Sequence, residues 1–164
     1  MSIDVDATIA GLEILARRVD DATQRIVTRS AHVFQALAMK NAPIGNPENS
    51  TNEPGDLSRS MDVQDGAGIG GGDGVYMARM GPTVTTANPG RGGEIFNYGR
   101  QREFGGEITP NISRSLVFTS FGVVYKKASV FQEGAHYLLK SREEGGPEVE
   151  GVIYEELTVA VEGG

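Results

Sequence analysis

The residues best equipped for chemistry in this 164-residue chain are a glycine run, two histidines and several carboxylate pairs. Residues 66–74 read GAGIGGGDG, the composition of a loop that wraps phosphate. A P-loop needs Gly, four residues, then Gly-Lys-Ser/Thr, because the lysine and the hydroxyl hold phosphate and magnesium. Here Asp73-Gly74-Val75 follows and no lysine is near. A dinucleotide fingerprint needs a strand before it and a helix after it. This run has a polar turn before it and a strand after it, so it reads as a hairpin connection. His32 and His136 stand apart, and zinc asks for three or four clustered ligands. Glu143-Glu144 and Glu155-Glu156 are adjacent pairs, and neighbours on a helix point in different directions. Asp65 and Asp73 lack the alternating spacing of a calcium loop. With no cysteine, thiolate sites and Cys nucleophiles are excluded. The sequence therefore predicts no catalytic residue, no cofactor and no metal, and the chain reads as a non-enzyme.

If no side chain does chemistry, surfaces must carry the function. Glycine makes up 23 residues, about twice the usual ~7%, and there is no tryptophan. Such a chain is rich in turns and poor in core, which points to stability completed by partners. The net charge of −7 is unevenly spread. Residues 1–78 carry −5, residues 79–127 carry +4 and residues 128–164 carry −6. An acidic body with a basic middle suits head-to-tail contact between copies. No dense basic stripe is present, so DNA wrapping is disfavoured. The acidic start, Met1 to Asp6, is unlike a secretory signal, and no apolar run approaches a membrane span. Synthesis in a cytoplasm, with no membrane partner, is expected.

The elements that position these surfaces follow from periodicity. Ile9, Leu12, Ala16, Val19, Ala22, Ile26, Val33 and Leu37 recur in steps of three, four or seven and predict one helix over 6–41. Asp6 starts it and Pro43 stops it, and part of its stripe is expected to pack on another subunit. Segments 43–56, 65–74 and 83–93 read as flexible loops, the first with three prolines. Asp56 to Met61 reads as a helical turn with Leu57 and Met61 on one side. Val75 to Gly81 reads as a strand, and Glu94 to Phe104 has helix-like spacing. Residues 115–131 read as a β-hairpin turning at Phe121-Gly122. A short helix from Ala135 to Arg142 is expected to break at Gly145-Gly146-Pro147, before a final helix over 148–161. The whole reads as one domain, residues 1–164, of α+β class: a long N-terminal helix and further helices packed on a small antiparallel sheet.

Three segments then point to a family. Lys40-Asn41-Ala42-Pro43 is followed, after a spacer, by Pro54-Gly55-Asp56-Leu57-Ser58-Arg59-Ser60-Met61. Further on come Tyr98-Gly99-Arg100-Gln101-Arg102-Glu103-Phe104-Gly105-Gly106 and then Ala135-His136-Tyr137-Leu138-Leu139-Lys140. In order and spacing these resemble the signatures of the tail-component family of long-tailed bacteriophages. The spacer is longer than usual, Pro54 and Gly106 stand where that family has Thr, and its later Pro is missing. The resemblance implies a structural virion protein of the neck, a tail-completion or head–tail joining component. It implies a homo-oligomeric ring, usually six-fold, between the head connector or stopper and the tail terminator or tail tube. Genomic DNA would pass through an acidic lumen without sequence-specific binding. Gly55, Asp56, Leu57, Arg100, Arg102, Glu103 and Phe104 become candidate partner-contact residues. Glu103 is expected in a subunit-edge ion pair and Phe104 packed beside a sharp exit. The nearest alternative is a tail terminator that caps the tube. From another class, a bacterial toxin or small nucleotide-binding enzyme remains as a rival.

Overall fold

The first helix, α1 (Val5–Asn41), is 37 residues long, about 56 Å at ~1.5 Å per residue. Asp6 in its first turn and Lys40 in its last oppose the helix dipole with charges of the favourable sign. The helix ends where the Ala42 N–H donates to the Ala38 carbonyl at 2.9 Å, one residue before Pro43. The structure, a computed structural model, describes residues 5–44, 55–65, 75–83, 85–87, 95–109, 115–120 and 123–163.

Beyond α1 the order is α2 (Asp56–Arg59), β1 (Met61–Asp65), β2 (Ala78–Pro82), β3 (Thr85–Ala87), β4 (Ile95–Asn97) and α3 (Tyr98–Phe104). Then follow β5 (Gly105–Ile108), β6 (Leu116–Ser120), β7 (Val123–Lys127), β8 (Val130–Glu133) and α4 (Tyr137–Glu162). The class is α+β: a long N-terminal helix packs with a C-terminal helix and is accompanied by small β-ladders. The strands form four two-stranded ladders, β1 with β2, β3 with β4, β5 with β8 and β6 with β7. The last three are antiparallel.

The chain divides into two compact units, each built from separated segments. The first comprises residues 1–34, 63–80 and 144–164, and the second residues 35–62 and 81–143. In the first unit Ala22, Ala31, Val152 and Ala160 are buried. Arg25 Nε and Arg29 Nη1 donate to the Glu156 carboxylate at 2.7 and 2.6 Å, and the Tyr76 hydroxyl donates to Asp20 at 2.6 Å. In the second unit Ala38, Ala42, Leu57, Met61 and Tyr137 form the apolar core. The backbone is pinned there by side chains: Gln35 Nε2 donates to the Met61 carbonyl and Ser58 Oγ to the Met39 carbonyl.

Several expectations change. The segment from Ala135 to Glu162 is not two helices with a break at Gly145-Gly146-Pro147. One helix, α4, runs through Pro147. An interior proline costs about 3 kcal/mol, and α4 is anchored on both sides of it. Its first turn is capped by a distant carboxylate, described below, and its last half is gripped through Glu156. Glu94 to Phe104 is not all helix: Ile95–Asn97 pairs with Thr85–Ala87, and only then does α3 begin. Thr85–Ala87 is accordingly a strand inside the expected loop 83–93. Met61 opens β1 and does not extend the helical turn, yet both it and Leu57 are buried. The hairpin is narrower than 115–131. β6 and β7 form it, while β8 leaves to pair with β5, Gly105 opposite Glu133 and Ile108 opposite Val130. The Phe121-Gly122 turn, the loop stretches 45–54, 66–74 and 88–93, and with them Pro47, Pro54 and Asp73, lie outside the described residues.

Candidate interaction surfaces

The two expected motifs converge on turns and caps. Gly55 sits at φ 85°, the left-handed region that only glycine enters cheaply. Its carbonyl accepts the Arg59 N–H at 3.0 Å, which closes α2. Asp56 does not cap this turn; it pairs with Arg59 Nη2 at 2.5 Å. Leu57 is 2% exposed and belongs to the core, so it is not open to a partner.

Glu103 departs furthest from expectation. It is 4% exposed, and its carboxylate turns inward onto the start of α4. Oε2 accepts the Leu138 N–H at 2.8 Å and Oε1 the Leu139 N–H at 3.2 Å. The first N–H groups of any helix lack partners within it. Here they are satisfied by a residue 35 positions away, which also meets the positive end of the helix dipole. His136, just before the helix, lies in the left-handed region at φ 47°. The backbone reinforces the junction. The Ala135 N–H donates to the Arg102 carbonyl at 2.8 Å and the His136 N–H to the Glu103 carbonyl at 3.1 Å. Gly105, at φ 70°, lets β5 lie against β8: a Cβ there would strike the Gln132 carbonyl oxygen. Tyr137, fully buried, donates its hydroxyl to the Gly99 carbonyl at 3.3 Å. Burial, and after it the negative charge of Glu103, pushes that phenol far above its ordinary range. Phe104, by contrast, does not pack beside the exit from α3. It is 69% exposed, because Glu103 takes the inward position and the next side chain points away. Arg100 is exposed and Arg102 half-buried.

The surfaces that sequence reasoning located only in part are apolar. Along α1 the stripe is buried or half-buried from Ala22 onward, but every residue from Val5 to Asp21 is exposed. Val5, Ile9, Leu12 and Val19 therefore continue the stripe into solvent, with Leu12 62% exposed. The spacing showed the stripe; it carried no signal of where cover stops. On α4 a shallow trough of about 560 Å³ is lined by Ile153, Tyr154, Leu157 and Val161, with Glu150 and Glu162 at its ends. The sequence predicted a helix over 148–161 but not the exposure of this face: Tyr154 is 77% exposed. In β7 all five residues, Val123 to Lys127, are exposed, with Val124 at 67%.

Among the described residues no three His, Cys, Asp or Glu side chains gather as a metal site, and no helix is long and apolar enough to cross a membrane. Comparison with protein-family models, curated proteins and solved structures found no match.

Proposed function

We propose that this chain is a structural assembly subunit of a phage neck, a tail-completion or head–tail joining component that binds copies of itself in a ring. The observation that carries the reading is the open end of α1. A soluble protein that works alone rarely leaves a row of large aliphatic side chains in water. Here Val5, Ile9, Leu12 and Val19 form such a row on a rigid helix whose other half is built into the core. The neck assignment comes from the resemblance of the Gly55-Asp56-Leu57 and Glu103-Phe104-Gly105 segments to the phage family. Their observed roles as turn and cap fit a shared fold more than a shared chemistry. In the ring, DNA passes through the lumen without being read, and the neighbours are the head connector or stopper and the tail terminator or tube. A tail terminator would use the same open helix face.

Sedimentation velocity across a concentration series tests assembly. The wild type is expected to form a closed oligomer, and Leu12→Glu to shift it toward monomer without altering the circular dichroism spectrum. Labelled protein located by electron microscopy at the head–tail junction supports the neck; label at the tube end supports the terminator. A wild type monomeric at all concentrations, or label on neither site, refutes the proposal.

A further inference from the structure

We infer that the α4 trough is a docking site for an amphipathic helix of another protein, one that carries lysine or arginine on both flanks of its apolar face. This goes beyond self-assembly through α1, because it asks for a partner of different sequence. The floor has the shape for a helix. Ile153, Leu157 and Val161 stand four residues apart in one ridge of α4, with Tyr154 beside them. Ridges of that spacing are what a second helix packs against. The trough runs from Glu150 to Glu162, about 18 Å of helix, so an occupant of three turns covers it. Tyr154 stands exposed within it, and tyrosine is among the side chains that most often carry binding energy.

Charge selects the chemistry of the occupant. Residues 143–162 hold seven glutamates and no lysine, arginine or histidine. Arg25 and Arg29 of α1 engage Glu155 and Glu156. Glu148, Glu150 and Glu162 are exposed, the last two at the ends of the trough. A surface framed this way repels phosphate, which rejects nucleic acid and anionic lipid. A second copy bound trough to trough is rejected as well. Parallel or antiparallel, Glu150 and Glu162 would meet only their own kind. Neither of the other exposed apolar elements described above complements the frame. Residues 5–19 of α1 carry Asp6 and Glu13 against Arg17 and Arg18, which leaves no net charge for the glutamates to attract. Lys126 and Lys127 of β7 are adjacent and point to opposite faces of their strand. A helix with basic residues on both flanks, about three turns apart, reaches both glutamates at once.

The probe is a fluorescent synthetic peptide of about 18 residues, long enough to span the trough as a helix, with leucine along one face and lysine on both flanks. One control peptide scrambles its sequence, and another puts glutamate in place of lysine. Fluorescence anisotropy against the full chain reads binding. The lysine peptide is expected to bind at least ~10-fold more tightly than either control. Tyr154→Ala, and separately Glu150→Lys with Glu162→Lys, are each expected to weaken it at least ~10-fold. The charge-reversed variant should now prefer the glutamate peptide. All three side chains are exposed, so folding, checked by circular dichroism, is retained. If the lysine peptide does not bind, or the scrambled peptide binds as well, the trough is no docking site. If the variants bind it like wild type, the peptide sits elsewhere and the inference fails. Sedimentation of Tyr154→Ala separates this site from self-assembly, and unchanged association is expected. Weakened association would place a second copy in the trough and overturn the inference. A wild type that binds the lysine peptide selectively through Tyr154 yet stays monomeric would uphold this site while the assembly reading falls.

Discussion

Replacing Glu103 separates its two possible roles, as a cap or as a contact for a neighbour. In the structure its carboxylate holds the Leu138 and Leu139 N–H groups at the start of α4. Hydrogen bonds to a charged group contribute about 1.5–3 kcal/mol each, and loss of a helix cap costs ~0.5–2 kcal/mol. These overlap, since they describe the same two N–H groups, so about 3 kcal/mol is the expected loss for Glu103→Ala. For a chain of this length each kcal/mol moves the midpoint by about 2–4 °C, which gives a fall of roughly 6–12 °C. Glu103→Gln keeps one oxygen acceptor but no charge, and about half that fall is expected. Glu107, exposed on the neighbouring strand, is the control, and Glu107→Ala should melt with wild type. The assay is thermal unfolding followed by circular dichroism, at a concentration low enough that subunit association does not contribute. A Glu103→Ala midpoint within ~2 °C of wild type would refute the capping argument. Weakened association with an unchanged midpoint would restore the subunit-edge role.

The remaining tests address the charge and the backbone. Hydrogen bonds from Arg25 and Arg29 hold the Glu156 carboxyl below its ordinary value of 4.5. Its contribution is therefore complete above that value, where the unfolded carboxylate is also ionised, and fades as pH falls through the lower folded value. Urea midpoints measured between neutral pH and strong acid should drop below pH 4.5, and less steeply in Glu156→Gln. An equal slope in the two proteins would remove the linkage. Gly105→Ala places a Cβ against the β8 backbone at φ 70°. A loss of more than about 2 kcal/mol is expected, from steric conflict added to the left-handed penalty. Hydrogen exchange should localise the damage to 105–108 and 130–133; unchanged protection there would contradict it.

How much of this was legible in the sequence follows from how local each cause is. α1 was legible because its signal repeats over 37 residues and proline ends it. α4 was misread for the opposite reason. Gly145-Gly146-Pro147 is a strong local stop, while the anchors that override it lie in Glu103, Arg25 and Arg29, far away in the chain. Strand character was read at Val130 and Phe131, the end of segment 115–131, but the continuation to Glu133 and its partner were not, since pairing with Gly105–Ile108 depends on a glycine admitting close backbone approach. Among the candidate residues, Gly55 and Leu57 act locally and serve the turn and the core as their types suggest. The inward turn of Glu103 has no signature near residue 103, because the N–H groups it satisfies belong to Leu138 and Leu139. Sequence periodicity marks which side of a helix is greasy; only the fold says whether that side is covered.

The junction at Glu103 closes a circuit. Glu103 and Gly105 meet His136, Leu138 and Glu133, so the intervening stretch leaves and returns at one riveted base. Within that stretch, among the described residues, β6 and β7 pair with each other and with no other strand. Doubling the length of a flexible loop costs only about 0.6 kcal/mol once its ends are held. That stretch is thus tunable: evolution or an engineer can lengthen, shorten or recharge it to meet a different neighbour while the riveted base keeps its shape.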